Sequence, residues 1–248
     1  RVERALDIDS DAQLVASVLS KKIAAGATHV VIDMPVGPTA KVRSDDAAAD
    51  LTRHLTAVAR RLGLPIAVEI TDGSQPVGHG IGPALEARDV LAVLRGHDLA
   101  PRDLRARSLK LAARIIEIAR GADSERSYQE AAAVLADGRA WQKFQAICEA
   151  QGGMREPPVA GHVHVVEAAD HGSVVAIDNR RLARVAKLAG APNVPAAGVD
   201  LHFRLGERVS KGEPLFDIHA ESPGELAYAL DYLGSQPAIV SVGDLEGL

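Results

Sequence analysis

Apolar residues at 14, 15, 18, 19 and 23, behind a polar opening of Asp9, Ser10 and Asp11, predict an amphipathic helix over 10–25 that stops at Gly26. The run His29-Val30-Val31-Ile32-Asp33-Met34 predicts a strand over 28–34, ended by a turn of Pro35, Gly37 and Pro38. A helical period then returns over 44–62, with Ser44 as N-cap, Asp45 and Asp46 in the first turn and Gly63 as the stop. Residues 64–71 read as a buried strand and 72–76 as a loop. Helices are expected over 83–95, 103–120, 127–136 and 139–151. Strands alternating with helices in this way predict neighbouring parallel strands joined by helical crossovers.

The pattern changes at Gly152-Gly153-Met154-Arg155-Glu156-Pro157-Pro158, where a domain boundary is expected, giving 1–153 and 154–248. Beyond it, alternating positions predict strands over 162–168, 173–177, 199–204 and 214–219, with helices near 179–189 and 222–233. The glycine-punctuated segment 206–216 reads as a hairpin turn between strands. The fold class expected is α/β: a partial mixed or parallel sheet with flanking helices, followed by a C-terminal α+β domain.

Composition adds limits. The 248 residues are enough for one large core or two smaller ones. Hydrophobic residues at 47% and charged residues at 25% are globular values. A net charge of -5 argues against nucleic-acid or anionic-membrane binding through bulk charge. The single cysteine, Cys148, rules out an internal disulfide and fits a reducing, cytoplasmic setting; its neighbours Phe144 and Ile147 suggest a buried, inert thiol. The opening at Arg1, directly beside a polar cluster, reads as the middle of a domain and predicts that the chain is part of a longer polypeptide.

Several residues could carry chemistry, each beside a plainer reading. Ser17 and Lys21 are four apart and share one helix face with Lys22 nearby, as a ligand-contacting edge or a solvated one. Asp9 precedes the helix, where it can cap it or, if Ser10 or Asp11 caps instead, serve as an acid. Lys41 follows a turn shaped by Pro35, Gly37 and Pro38 at a strand end. The stretch from Asp72 to Pro83 is a glycine-rich connection that could hold an anion at a helix start, line a cleft as a mobile loop or act as a structural turn; it matches neither common phosphate-binding fingerprint. His162 and His164 alternate on one strand face, with His171, His202 and His219 in the same half, but no ligand set for a metal is completed.

Taken in order, these segments resemble the thymidine/pyrimidine-nucleoside phosphorylase family. The resemblance is carried by Ala16-Ser17-Val18-Leu19-Ser20-Lys21-Lys22, Val31-Ile32-Asp33-Met34-Pro35-Val36-Gly37, Ile81-Gly82-Pro83-Ala84-Leu85-Glu86-Ala87-Arg88, Ala150-Gln151-Gly152-Gly153 and the stretch 206–216. It extends over the whole chain. Arg1-Val2-Glu3, Ile8-Asp9, Pro35-Val36-Gly37 leading to Lys41, and Ala220-Glu221-Ser222 resemble the branch holding AMP phosphorylases and type 2 bacterial thymidine phosphorylases. The Lys-Val-Gly-Ser-Gly turn of ordinary thymidine phosphorylases is absent.

The resemblance implies phosphorolysis of thymidine to thymine and 2-deoxyribose 1-phosphate, or, alternatively, of AMP to adenine and ribose 1,5-bisphosphate. It implies that Asp9 donates a proton to the leaving base, that Ser17 and Lys41 contact the nucleoside or nucleotide, and that Lys21 touches the base. Inorganic phosphate is then a co-substrate, with no metal or organic cofactor, and the full-length protein a homodimer. The family's phosphate-binding residues and small helical domain have no counterpart in these 248 residues. The implied C-terminal domain is hammerhead-like, which raises a distant alternative, a biotinyl- or lipoyl-type carrier module. Lys211 lacks the flanking residues of such sites.

Overall fold

The computed structural model describes residues 11–236 and 238–244. Its elements are α1 (Asp11–Ala24), β1 (Val30–Val36), α2 (Asp45–Arg61), β2 (Ile66–Asp72), β3 (Gly80–Ile81), α3 (Pro83–Leu94), α4 (Arg102–Arg120), α5 (Ser124–Ala136) and α6 (Arg139–Ala150). There follow β4 (His162–Glu167), β5 (Gly172–Ile177), α7 (Asn179–Leu188), β6 (Gly198–Leu201), β7 (Arg208–Val209), β8 (Pro214–Ala220), α8 (Pro223–Ser235) and β9 (Val240–Gly243). The fold class is mixed α/β, as the sequence predicts. Among the described residues no helix is long and apolar enough to cross a membrane.

Two compact units interleave along the chain. Of the described residues, one comprises those up to Asp72 together with Ser108–Ala133; the other comprises Gly73–Arg107 and those from Val134 onward. The composition shift at 152–158 therefore does not coincide with this division in space. The reason is that β3, far upstream of the shift, is a strand of the later sheet, pairing antiparallel with β6.

In the first unit β1 and β2 run parallel in an unbroken register from Val30↔Ile66 to Val36↔Asp72. The helix between them, α2, is the expected crossover. Ser44 caps it, accepting the N–H of Ala47, and Asp45 and Asp46 lie in its first turn, where the helix dipole favours negative charge. Its buried residues Ala48, Leu51, Leu55 and Ala59 form one stripe. That stripe meets Val15 and Leu19 of α1 and Val30 and Met34 of β1 in a core closed by Leu64. Each fully buried leucine of this kind contributes about 1.5–3 kcal/mol. β1 starts two residues later than expected, and it ends two later because the strand runs through Pro35 instead of stopping at it.

The second unit holds a four-stranded antiparallel sheet in the order β3-β6-β8-β4 and a three-stranded one in the order β7-β5-β9. Val174, Ile177, Leu182, Val185, Val199 and Phe216 are among the side chains that fill its core. Asp178 caps α7 by accepting the N–H groups of Arg180 and Arg181, and Ser222 caps α8 by accepting that of Glu225. The expected hairpin over 206–216 is not formed. β7 pairs with β5 and β8 with β6 and β4, so the turn at Ser210–Glu213 joins two sheets. Lys211 is therefore not at a hairpin tip, as a carrier domain requires; its backbone N–H donates to His171 Nδ1 at 3.2 Å.

Candidate functional site

The first unit places Ser17, Lys21 and Lys41 on the surfaces of α1 and the end of β1. Burial of Val15 and Leu19 turns Ser17, Lys21 and Lys22 outward. Ser17 and Lys21 stand one helical turn apart, both exposed. Lys41 is exposed in the turn after β1. That turn is closed by Gly37 N–H donating to Val42 O and Ala40 N–H donating to Gly37 O, each at 3.1 Å, and by a parallel bridge of Val42 to Val36. Lys41 is thus fixed to the last residue of β1 through its neighbour. Asp9, the expected acid, lies outside the described residues.

One feature of this unit escaped the sequence reading. Asp33 and Glu69 are directly opposite each other in the β1–β2 register, on the face away from Val30 and Met34. Two carboxylates so placed repel unless each has a partner. Glu69 is held by Lys110 Nζ at 3.2 Å and by Arg114 Nε at 3.0 Å, the latter close enough for an ion pair but not aligned as a hydrogen bond. Glu117, hydrogen-bonded to Arg114, and then Glu69 raise the Arg114 pKa above its ordinary value against the opposing effect of burial. Asp33 Oδ1 accepts the Thr71 hydroxyl at 2.6 Å. Part of the signal was present in the sequence: Asp33 interrupts an otherwise apolar β1, and Glu69 follows the apolar run Ile66-Ala67-Val68 of β2.

The glycine-rich connection belongs to the second unit, and it holds the protein's own anions. Asp89 Oδ2 accepts the N–H groups of His79 and Gly80 at 2.7 and 2.8 Å. Asp103 accepts that of Gly78 at 3.1 Å, and Glu86 that of Gly82 at 3.0 Å. Arg204 donates to the carbonyl of Gly78 at 2.9 Å and to Asp103 at 3.2 Å, while Gln75 accepts the N–H of Leu205 at 3.0 Å. With these amides occupied, the connection is a tied structural turn, and the expectation of an anion cradle or a mobile loop is corrected.

The histidines of the later half do not share one strand face. On β4, His162 and His164 pair with Ala220 and Ile218, whereas His219 pairs with Val163 and so lies on the other face. Among the described residues no three His, Cys, Asp or Glu side chains are placed to hold a metal ion. Cys148 is only partly buried and lines an apolar cleft of 610 Å³ with Phe144, Leu91 and Met154.

Comparison with known proteins agrees with the resemblance. Residues 173–239 match the pyrimidine nucleoside phosphorylase C-terminal domain. Over 98% of its length the chain is 61% identical to "Putative thymidine phosphorylase 2" and 62% identical to "Putative thymidine phosphorylase 1" of Acidovorax sp. strain JS42. It is 64% identical to "Putative thymidine phosphorylase" of Polaromonas sp. strain JS666, again over 98% of its length. The chain spans 47–48% of these relatives, about half their length. Along nearly every element described above the chain is thus similar to about half of each of these relatives, and residues 173–239 carry the pyrimidine nucleoside phosphorylase C-terminal domain.

Proposed function

We propose that this chain supplies the base-and-sugar part of a nucleoside phosphorylase of the relatives' full length, acting on thymidine and inorganic phosphate. The observation that carries this reading is the identity of about 60% to relatives of that printed name over nearly the whole chain. The exposed pairing of Ser17 and Lys21 on α1, with Lys41 fixed at the end of β1, is compatible with it.

In the reaction a phosphate oxygen bonds to C1′ of the deoxyribose as the C1′–N bond breaks, through an oxocarbenium-like transition state. The bond's electron pair leaves with the base. Asp9 is the proton donor to that base, Lys21 stabilises its developing negative charge, and Ser17 and Lys41 hold the nucleoside. General-acid help of this kind is worth about 10²–10⁴-fold in rate. Neither a metal nor an organic cofactor enters the scheme. The complete enzyme is proposed to be a cytoplasmic homodimer.

Lys41 and the absent Lys-Val-Gly-Ser-Gly turn, marks of a branch that also holds AMP phosphorylases, fit a second reading equally: AMP phosphorolysis, in which Lys41 meets the nucleotide. A phosphate-dependent assay of the relatives'-length polypeptide carrying this chain, offered thymidine, uridine and AMP, separates the two. Thymine release supports the first reading and adenine release the second. Turnover of none of the three refutes both.

A further inference from the structure

The carboxylate layer on β1 and β2 bears on how Lys41 is held. Pro35 pairs with Thr71 and, having no N–H, offers no backbone donor to either neighbour. At that level a side-chain bond adds to the pairing of the two strands, the Thr71 hydroxyl reaching back to Asp33 Oδ1 at 2.6 Å, partly shielded from water. A hydrogen bond to a charged acceptor is among the stronger ones. The next residue, Val36, pairs with Asp72 on one side and bridges Val42 on the other. Gly37 N–H donates to Val42 O, so the turn bearing Lys41 closes back onto the strand end that Asp33 and Thr71 fix. Glu69 beside Asp33 is already occupied by Lys110 and Arg114 and leaves the Thr71 hydroxyl to Asp33.

We propose that Asp33 and Thr71 are positioning residues of the nucleoside site: their hydrogen bond sets the end of β1 and thereby the placement of Lys41 toward the ligand. The inference rests on the reading of Lys41 as a ligand contact. It makes no use of Thr71 or Asp33 touching substrate.

The test is a double-mutant cycle on the relatives'-length polypeptide, with kcat and KM measured for the nucleoside or nucleotide it turns over. Thr71→Val is expected to raise KM about tenfold, the worth of one such hydrogen bond, with little change in kcat. Thr71→Ser, which keeps the hydroxyl, is expected to restore the native KM. Because Thr71 acts through Lys41, adding Thr71→Val to Lys41→Ala is expected to raise KM no further than Lys41→Ala alone. Independent, multiplying effects overturn the proposal, as does a silent Thr71→Val where Lys41→Ala is not silent. A Lys41→Ala enzyme with native KM removes the reading of Lys41 itself, and the proposal falls with it. Thermal unfolding of each variant checks the fold, and Thr71→Ala replaces Thr71→Val if the valine variant does not fold.

Discussion

Asp200 and Asp217 stand directly opposite each other across the antiparallel strands β6 and β8. His202 Nε2 reaches Asp217 Oδ2 at 3.1 Å, while burial raises the pKa of Asp200 above the ordinary 3.8. The nearby charges of His202, His219 and His79 pull that pKa down and Asp89 pushes it up, but burial dominates. A carboxyl whose pKa is raised by folding holds its proton more tightly in the native state, so stability falls as pH rises through the window above 3.8. Asp200→Asn removes the penalty. The variant is expected to melt higher than the parent at pH 8, with the advantage fading toward pH 4. Thermal melts across that range check it, and a variant less stable than its parent at pH 8 contradicts the account.

His219, on the same face as Asp217, acts in the opposite sense. Both its ring nitrogens are buried without a protein partner, and burial lowers its pKa below 6.5 against the pull of Asp200 and Asp217. Arg88 and His202 add to the lowering. Folding thus favours its neutral form, so its contribution is intact above pH 6.5 and is lost as pH falls below that value. His219→Gln is expected to flatten the acid limb of the stability curve, measured by denaturant unfolding at pH 5 and 7.

Asp89 is expected to matter more than an ordinary half-buried carboxylate. Asp89→Ala leaves the N–H groups of His79 and Gly80 without their acceptor and is expected to cost about 2–3 kcal/mol. Asp89→Asn keeps one acceptor oxygen and is expected to cost less. Chemical denaturation orders the three proteins, and equal stability for all three would show that the turn does not need its internal anion.

Gly198 and Gly224 are expected to respond oppositely to alanine. A Cβ on Gly198 would lie 2.2 Å from the carbonyl oxygen of Ile81, at φ +158°, where β3 and β6 come together. Gly198→Ala is expected to cost about 3 kcal/mol or more and to deplete soluble protein. Gly224, in the first turn of α8, has nothing within 4 Å of such a Cβ. Gly224→Ala is expected to gain about 0.4–1 kcal/mol. Melting temperatures of the two variants provide the comparison.

Asp9→Asn tests the proposed acid. In the relatives'-length protein it is expected to lower kcat about 10²-fold or more with a modest change in KM. Native turnover in steady-state assays would leave Asp9 a helix cap.

Local rules made the helices legible. Ser44 before Asp45 and Asp46, and the stripe of Ala48, Leu51, Leu55 and Ala59, announce α2 before any coordinate is known. Ser17 and Lys21 share a face by spacing alone. Pairing partners were less accessible, because turn residues mark where a chain bends and not which strand it meets. Val209 therefore lies opposite Gly172, some 37 positions away, when the glycines around it suggested a local hairpin. The opposition of Asp33 to Glu69 was hidden for the same reason: it exists only once β1 and β2 are in register.

The interleaving of the two units imposes an order of events on a chain being synthesised. Gly80 meets Asp200 only after about 120 further residues have left the ribosome, a delay on the order of ten seconds. The His79 and Gly80 amides, by contrast, find Asp89 within ten positions. A short, cheap closure can thus form long before the distant one, leaving the nascent β3 edge in its final bend while its sheet is still unborn.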